Sequence, residues 1–519
     1  MRRILVSAVL VAGLVAVPLP GVARGNGGHC DFNGDGYDDA AIGASAEDVA
    51  GRTSAGAVNV IYGSADKLSS VGNQFWTLDG AELDGGGPPF FGRSVECGDF
   101  NDDGFDDAVF GADGMDIAGV SDVGVVHVLF GSVSGLTADD SLLLHRDAPG
   151  VAGKGEPSLH FGESLAVGDF DGDGHDDLAV GAPFDSIGEW SYAGSVSVFY
   201  GFSGGLSISN DKVWHRGRKG VHGALQAYAN FGHSLAAGDF DGDGHDDLAI
   251  GVPYDNIVGE AADAGSVSVL YGSSAGLTAT GHVRLHRNKK GIKDVANRRD
   301  EFGHSVVAGD FDGDGRDDLA IGAPRDDIGG TRQAGSVHVI KGSINGLTPA
   351  GDQIWYRDTP DVRNTAAYLD QFGYSLTTGR FDTGDKDDLA VGVLLDDPDG
   401  VFNAGSVHVF YGSNDGLTAV GDQIWHQGRK GIKGANEISD WFGVSVSAGD
   451  FDGNGEDDLL VGVPHDDGSA TTRSGKVAVI YGNNGGLAAS GDQTWSQGSP
   501  GILGVIEDYE SFGWGVSGA

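Results

Sequence analysis

Residues 231–254 read FGHSLAAGDFDGDGHDDLAIGVPY and contain two predicted strands joined by an acidic loop. The first strand, within 231–240, consists mainly of small residues, and the second, within 247–254, is a short apolar run. Downstream, GSVSVLYG (265–272) alternates with the period of two that β-strands show, and HVRLHR (282–287) is predicted as a fourth strand. Because nothing here has helical periodicity, the unit is predicted to be a four-stranded sheet.

The acidic loop recurs seven times, beginning at residues 31, 99, 169, 239, 310, 380 and 450. The spacings are 68, 70, 70, 71, 70 and 70 residues. A Phe-Gly pair precedes six of the loops, and the pair that belongs to the first loop stands at the other end of the chain, in FGWGVSGA (512–519). The pattern predicts an all-β fold, a seven-bladed β-propeller with four-stranded blades, which spans residues 24–519 as a single domain. The C-terminal strand should close the ring on the first blade.

The loop DFDGDGHDD (239–247) places five carboxylates in nine residues. Positions 1, 3, 5 and 9 can converge on one hard cation, together with the backbone carbonyl of position 7, while the glycines at positions 4 and 6 allow a tight path. Calcium accepts such an irregular shell of oxygens, whereas magnesium prefers a small octahedron. A helix-loop-helix site is excluded because its twelfth position needs a bidentate Glu, and Ile250 stands there. The loop is therefore predicted to bind structural calcium.

Six of the seven loops keep this pattern, which predicts about six Ca²⁺ sites. Their ligands at positions 1, 3, 5, 7 (through the carbonyl) and 9 are Asp31, Asn33, Asp35, Tyr37 and Asp39; Asp99, Asn101, Asp103, Phe105 and Asp107; Asp169, Asp171, Asp173, His175 and Asp177; Asp239, Asp241, Asp243, His245 and Asp247; Asp310, Asp312, Asp314, Arg316 and Asp318; and Asp450, Asp452, Asn454, Glu456 and Asp458. The residue at position 8, Asp246 in the fourth loop, is predicted to face solvent or to bind amides of the turn.

The sixth loop, RFDTGDKDD (380–388), departs from the pattern. Arg380 stands at position 1 and Gly384 at position 5, so two ligands are missing and a fixed positive charge is present. We predict no calcium between Arg380 and Asp388, and we expect Arg380 to pair with Asp382 or Asp388.

The Phe-Gly pairs, the Gly-Ala-Pro-like turns and the DxDxDxxxD loops together resemble the FG-GAP repeats of the integrin alpha-subunit propeller, over residues 30–519. The resemblance implies seven blades, calcium loops on the lower face and ligand contacts on the upper face. Integrin alpha chains continue into leg domains and a membrane span, whereas this chain ends where the ring closes, so integrin-style heterodimerisation is not expected. The repeat also accompanies the catalytic domain of glycosylphosphatidylinositol-specific phospholipase D, which is not expected within this chain.

The formal net charge of −44 argues against nucleic acid as a partner, because nucleic-acid binding needs clustered Lys and Arg. Residues 1–23 have the charged start, apolar run and small-residue cleavage site of a secretory signal peptide. No other apolar run approaches the length of a membrane span, so we expect a secreted or cell-surface, monomeric protein. Cys30 and Cys97 form an even pair, which is compatible with a disulfide or with two free thiols.

Two connections between fourth strands and Phe-Gly pairs, 215–230 and 286–301, each carry a net charge of +3. They should lie on the face opposite the calcium loops, where they could bind an acidic polysaccharide or an extracellular protein, or simply balance charge. We therefore predict a recognition or adhesion module. The alternative is an extracellular hydrolase, directed at glycans or phospholipids, with its site at the mouth of the central channel. The sequence contains no His-Glu-x-x-His motif in support of that alternative.

Overall fold

The computed structural model describes residues 30–78, 87–257, 262–468 and 471–518. The predicted signal peptide (1–23) and the start of the predicted domain (24–29) lie outside the described residues. The described chain forms seven four-stranded antiparallel sheets, and each innermost strand contacts the innermost strand of the next sheet until the circle closes. The predicted seven-bladed β-propeller is confirmed.

The first four blades contain the following strands, from the channel outward. Blade 1 consists of Phe512–Ser517, Ala40–Ala44, Ala57–Tyr62 and Ser69–Trp76. Blade 2 consists of Val95–Gly98, Asp107–Ala112, Val125–Phe130 and Thr137–Leu144. Blade 3 consists of Leu165–Gly168, Asp177–Ala182, Ser195–Phe202 and Gly205–Trp214. Blade 4 consists of Leu235–Gly238, Asp247–Val252, Ser266–Tyr271 and Thr278–Leu285.

The remaining three blades follow the same order. Blade 5 consists of Val306–Gly309, Asp318–Ala323, Ser336–Lys341 and Thr348–Trp355. Blade 6 consists of Phe372–Gly379, Asp388–Val393, Ser406–Tyr411 and Thr418–Trp425, with a 3-10 turn at Pro398–Gly400. Blade 7 consists of Val446–Gly449, Asp458–Val463, Lys476–Tyr481 and Ala488–Trp495. Within the described ranges, no helix is long and apolar enough to cross a bilayer.

The two ends of each blade carry different turns because neighbouring strands run antiparallel. The turns between first and second strands and between third and fourth strands share one end of every blade, which we call the lower rim. The turns between second and third strands and the connections from blade to blade share the other end, which we call the upper rim. The acidic loops lie on the lower rim, and the basic connections lie on the upper rim.

The ring closes at blade 1, where the C-terminal strand pairs with Ala40–Ala44. A disulfide joins Cys30, at the start of the described chain, to Cys97 in the innermost strand of blade 2. The Ser517 hydroxyl of the C-terminal strand lies 3.4 Å from Cys30 Sγ. Backbone pairing therefore holds the C-terminal strand to blade 1, and a covalent bond ties the start of the described chain to blade 2. Of the two states left open for the cysteines, the structure has the disulfide.

The Phe-Gly pairs have a packing role. All seven phenylalanines are fully buried: Phe91, Phe161, Phe231, Phe302, Phe372, Phe442 and Phe512. A Cβ added to Gly251, in the second strand of blade 4, would lie 2.2 Å from the carbonyl oxygen of Gly303 in the Phe-Gly pair of blade 5. Only glycine permits this approach, so the repeated glycines set the distance between neighbouring blades.

Candidate functional site

The acidic loops fold around the carboxylate at position 1. In blade 4, Asp239 Oδ1 accepts the N–H groups of Gly242 (2.7 Å) and Asp243 (3.1 Å), and its Oδ2 accepts that of Gly244 (2.9 Å). Both glycines have positive φ, 72° and 87°, a region that other residues seldom adopt. One carboxylate and two glycines thus determine the path of the loop.

Position 9 anchors the loop to the sheet. Asp247 is 1% exposed, and its two oxygens accept the N–H groups of Phe240 (3.1 Å) and of Gly272 in the third strand (2.8 Å). Burial raises the pKa of Asp247 to about 8, although these two N–H groups favour the charged form. Holding a negative charge here is costly, and a bound cation would offset that cost.

The structure brings positions 1, 3 and 9 together in three loops, with ligand atoms within 4.8 Å of one another: Asp169, Asp171 and Asp177; Asp239, Asp241 and Asp247; and Asp450, Asp452 and Asp458. In the fifth loop the group is instead Asp310, Asp312 and Asp314. The position-5 carboxylate of the fourth loop, Asp243, stands outside its group and accepts the His245 N–H at 3.0 Å. That Asp243 and the position-7 carbonyls bind calcium stays a prediction.

A buried oxygen without a partner marks position 3 in four loops: Asn101 Oδ1, Asp171 Oδ1, Asp241 Oδ1 and Asp452 Oδ1. A buried polar atom without a hydrogen bond is costly and rare, and three of these residues, Asp171, Asp241 and Asp452, each lie in a group of three carboxylates. Such all-oxygen groups suit a hard cation, so the residues fit calcium. Calcium would supply the positive charge and the missing partner.

Position 8 has a role that differs from the prediction. Each position-8 carboxylate accepts the N–H of the position-1 residue in the preceding blade, rather than amides of its own turn. The seven pairs, at 2.7–3.0 Å, are Asp106 with Asp31, Asp176 with Asp99, Asp246 with Asp169, Asp317 with Asp239, Asp387 with Asp310, Asp457 with Arg380, and Asp38 with Asp450. We call these contacts the lower clasps, and they link every blade to the next.

The sixth loop has its lower clasps but not the calcium pattern. Arg380 Nε lies 3.3 Å from Asp387 Oδ1, so the expected pairing with Asp382 or Asp388 was wrong. Both Asp388 oxygens already accept backbone N–H groups, from Phe381 (2.9 Å) and Gly412 (2.8 Å), while Asp382 accepts the Gly384 N–H. Asp387 is the neighbouring carboxylate with an oxygen left for the guanidinium.

On the upper rim, four arginines that could be counted as surface charges are buried. They are Arg146, Arg216, Arg287 and Arg357, which pair with Asp185, Asp255, Asp326 and Asp396 respectively. Each arginine comes from a connection and each aspartate from the second-to-third turn of the next blade. A serine hydroxyl completes each site; for example, Ser266 Oγ donates to Asp255 at 2.6 Å. These upper staples join blades and are not available to a ligand.

The connections 215–230 and 286–301 also carry cations that face solvent: Arg218, Lys219, Lys290, Lys293, Arg298 and Arg299. None of the six is ion-paired with a described residue. The connections lie side by side, since the His222 N–H of the first donates to His282 Nδ1 (3.2 Å) in the strand that leads into the second. The predicted basic patch therefore contains fewer exposed cations than the two connections carry in the sequence. Those that are exposed form no salt bridge with a described residue.

A second polar group lies where the innermost strand of blade 3 begins, at the mouth of the channel. His160 Nδ1 is 3.0 Å from Asp113 Oδ2, and ligand atoms of Asp113, His160 and Glu163 lie within 4.8 Å of one another. Arg93 Nη1 approaches the same Asp113 oxygen at 3.5 Å. Interaction with Asp113 raises the pKa of His160 despite its burial. Sequence reasoning did not single out this group, although Asp113 stands where other repeats carry the proline of the Gly-Ala-Pro turn.

Comparison with known proteins agrees with the repeat analysis. The FG-GAP repeat family matches residues 26–61, 161–199, 231–270, 302–340 and 442–480. Phosphatidylinositol-glycan-specific phospholipase D of Rattus norvegicus is 39% identical over 163 residues, which are 31% of this chain and 18% of that protein. Integrin alpha-PS2 of Drosophila melanogaster is 33% identical over 258 residues, which are 48% of this chain and 16% of that protein.

The chain thus spans less than a fifth of the length of these two relatives. Among solved structures, the match to an exotype rhamnogalacturonan lyase covers 93% of this chain and 82% of that chain. The identity is 12% and the TM-score is 0.38, so this likeness supports no argument. The chain thus contains five matched FG-GAP repeats within its seven blades, and its similarity to integrin alpha subunits is consistent with an integrin-alpha-like propeller.

Proposed function

We propose that this chain is an exported, calcium-stabilised propeller that acts as a recognition or adhesion module for an acidic glycan or an extracellular protein. The disulfide between Cys30 and Cys97 supports export, because disulfides persist in oxidising compartments. The module is expected to act as a monomer. The FG-GAP relatives support the class of protein, while the ligand is inferred from the surface of this chain alone.

Calcium would be held by the loops of blades 1–5 and 7, through the carboxylates and asparagines at positions 1, 3, 5 and 9. In these loops the position-1 carboxylate shapes the turn and the position-9 carboxylate fixes the loop to the sheet, and in the loops of blades 2, 3, 4 and 7 a position-3 oxygen is left open. Neutralising these groups would lower their mutual repulsion and stiffen the lower rim. The calcium is therefore proposed as structural, and recognition is assigned to the upper rim.

The observation that carries the recognition proposal is the unpaired basic surface formed by the connections 215–230 and 286–301. Charge balancing would bring these cations next to acidic groups. Instead, the acids of the second connection pair with other arginines: Asp294 and Asp300 with the buried Arg287, and Glu301 with Arg325. The exposed cations form no salt bridge with a described residue, on a molecule of net charge −44. An anionic ligand is what such a local surface would attract.

Binding to an array of acidic and neutral glycans, with and without a chelator, tests this proposal. The variant Lys219→Glu/Lys290→Glu/Lys293→Glu should lose binding to acidic glycans, whereas Lys154→Glu, which reverses an exposed cation on another connection, should not. Unchanged binding by the triple variant would refute the assignment of the surface.

The second candidate is an extracellular hydrolase acting on glycans or phospholipids, and the group of Asp113, His160 and Glu163 favours it. An imidazole 3.0 Å from one carboxylate and near another can move a proton during hydrolysis. The same array separates the candidates. Released product that disappears in His160→Gln would support the hydrolase, and retained ligand without turnover supports recognition.

A further inference from the structure

One position at or near the end of the third strand differs in blade 5. This position is Tyr62, Tyr200, Tyr271, Tyr411 or Tyr481 in five blades and Phe130 in blade 2, but it is Lys341 in blade 5. The tyrosines reach the next blade; for example, the Leu347 N–H donates to the Tyr271 hydroxyl at 3.1 Å. At the corresponding place beyond blade 5, the Leu417 N–H donates to Gln353 Oε1 (3.0 Å) instead. Lys341 therefore does not make the contact with the next blade that the tyrosines make.

Lys341 instead points to the acidic loop of its own blade. Its Nζ lies 2.6 Å from Asp312 Oδ2, the position-3 carboxylate, with the two side chains 24% and 12% exposed. Unlike its counterparts Asp171, Asp241 and Asp452, Asp312 has no buried oxygen without a partner. In this loop the open oxygen that fits a cation is already satisfied by an ammonium group.

A second cation acts on the same loop. Arg316 Nη1 lies 3.3 Å from Asp314 Oδ2, at position 5. The loop of blade 4 is otherwise identical in sequence, with His245 in place of Arg316. The fourth and fifth loops therefore offer the same predicted carboxylates, but the fifth brings two fixed positive charges to them. The different grouping of its carboxylates, at positions 1, 3 and 5, accompanies this difference.

We propose that Lys341 occupies part of the fifth cation site, so that this loop binds calcium more weakly than the other five calcium-pattern loops. A calcium ion would have to displace a charge-assisted hydrogen bond from Asp312 before it could bind there. This inference rests on the proposed calcium role of the loops. The fifth and sixth blades then share one feature, a positively charged side chain at the acidic loop, which is Lys341 in blade 5 and Arg380 in blade 6.

Reciprocal exchange of the two residues tests the proposal. Lys341→Tyr gives blade 5 the residue of five other blades, and Tyr271→Lys gives blade 4 the residue of blade 5. Calcium bound to the full chain is measured by equilibrium dialysis, and affinities are measured by titration calorimetry. The native chain should show five tighter sites and one weaker site. Lys341→Tyr should tighten the weak site by about tenfold, and Tyr271→Lys should weaken one of the tight sites by about tenfold.

Two further variants control for loss of the hydroxyl and for misfolding. Lys341→Phe should behave like Lys341→Tyr, and Tyr271→Phe should leave calcium binding unchanged, since blade 2 already has phenylalanine at this position. Circular dichroism confirms that each variant is folded. Six equal sites in the native chain, or no change in Lys341→Tyr and Lys341→Phe, would overturn the proposal. Absence of calcium from every loop would instead overturn the proposed calcium role.

Discussion

The lower rim places a carboxylate at every junction between blades and the upper rim at all but the junction of blades 1 and 2, but the two rims neutralise them differently. On the upper rim, a connection leaves one blade and passes over the next, so its arginine reaches the buried aspartate of that blade, as Arg216 reaches Asp255 at 2.6 Å. On the lower rim, each acidic loop is a short hairpin whose neighbours are other acidic loops. Where a long connection passes, on the upper rim, an arginine of the chain can pair with the carboxylate. On the lower rim no long connection passes, and carboxylate oxygens are left without a partner.

Exceptions on the upper rim show that the arginine is one of several solutions. Between blades 1 and 2, Leu78 and Met115 take the places of arginine and aspartate, and both join the hydrophobic core. Between blades 6 and 7, Gln427 replaces the arginine, and Lys476, at the serine position, lies 2.5 Å from Asp466. What matters at each junction is that the buried group is satisfied, not which residue satisfies it.

The largest expected effect comes from removing calcium, which should affect the lower rim alone. At about 1 mM calcium, sites of the extracellular class stabilise by about 0.4–1.4 kcal/mol each, or about 2–8 kcal/mol over the loops. Thermal unfolding in calcium and in EDTA measures this difference. Asp241→Asn should reduce the calcium-dependent part, and Asp382→Asn, at the same position of the sixth loop, should not. Equal melting temperatures in calcium and EDTA would contradict the comparison between the rims.

Breaking one upper staple should cost about 3–5 kcal/mol, independently of calcium. In Arg146→Leu, the buried Asp185 loses its cation. The double variant Arg146→Leu/Asp185→Met copies the apolar junction between blades 1 and 2 and should recover most of the loss. Denaturant unfolding of the two variants, in calcium and in EDTA, provides the measurement. A double variant no more stable than the single one would show that the junctions are not interchangeable.

Breaking one lower clasp should cost about 1–3 kcal/mol, because a backbone N–H loses its acceptor. Asp457→Ala removes the acceptor of the Arg380 N–H and changes position 8 of the seventh loop, which is not a predicted calcium ligand. The loss should therefore persist in EDTA, in contrast to that of Asp241→Asn. Thermal unfolding under both conditions distinguishes the two, and a loss seen only in calcium would mean that the clasp depends on metal.

The smallest expected effect lies between blades 7 and 1, where Gln497 replaces the arginine and Glu47 meets Glu510. The two carboxyls are 4% and 1% exposed, and burial raises the pKa of both above the ordinary value of 4.5, while repulsion by Glu47 adds to the rise at Glu510. Because the folded state retains these protons to higher pH than the unfolded chain does, the free energy of unfolding should fall as the pH rises above about 4.5.

Glu510→Gln removes one of these buried acids and tests the sign of that dependence. We expect it to flatten the decline and to stabilise the protein by about 1 kcal/mol at pH 8. Melting temperatures across pH 5–8 measure the slope. Glu189→Gln, which neutralises an exposed carboxyl on blade 3, should leave the slope unchanged, and a steeper slope in Glu510→Gln would reverse our assignment.

Some features of the site could be predicted from the sequence. Others have a signal in the sequence that did not lead to a prediction. The loop ligands were recognised because oxygen-bearing residues recur at fixed positions. Lys341 stands out once the third strands are aligned, but its contact with Asp312 depends on how far the strand end lies above the loop. The aspartate at position 8 is present in all seven loops, including the one without the calcium pattern, which indicates a role apart from metal binding. Its partner lies about 77 residues away, so only the ring geometry identifies it.

By itself the sequence determined the number of blades, the strands within them, the closure by residues 512–517 and the positions of the acidic loops, because each is a periodic or local property of the chain. The tertiary structure decided which charges are available. It buried Arg216 and Arg287 against aspartates of the next blade, turned Asp246 toward the preceding blade and placed Lys341 on a loop of its own blade. Such pairings depend on distances between segments that are far apart in the chain, and these distances are set only when seven blades pack into one ring.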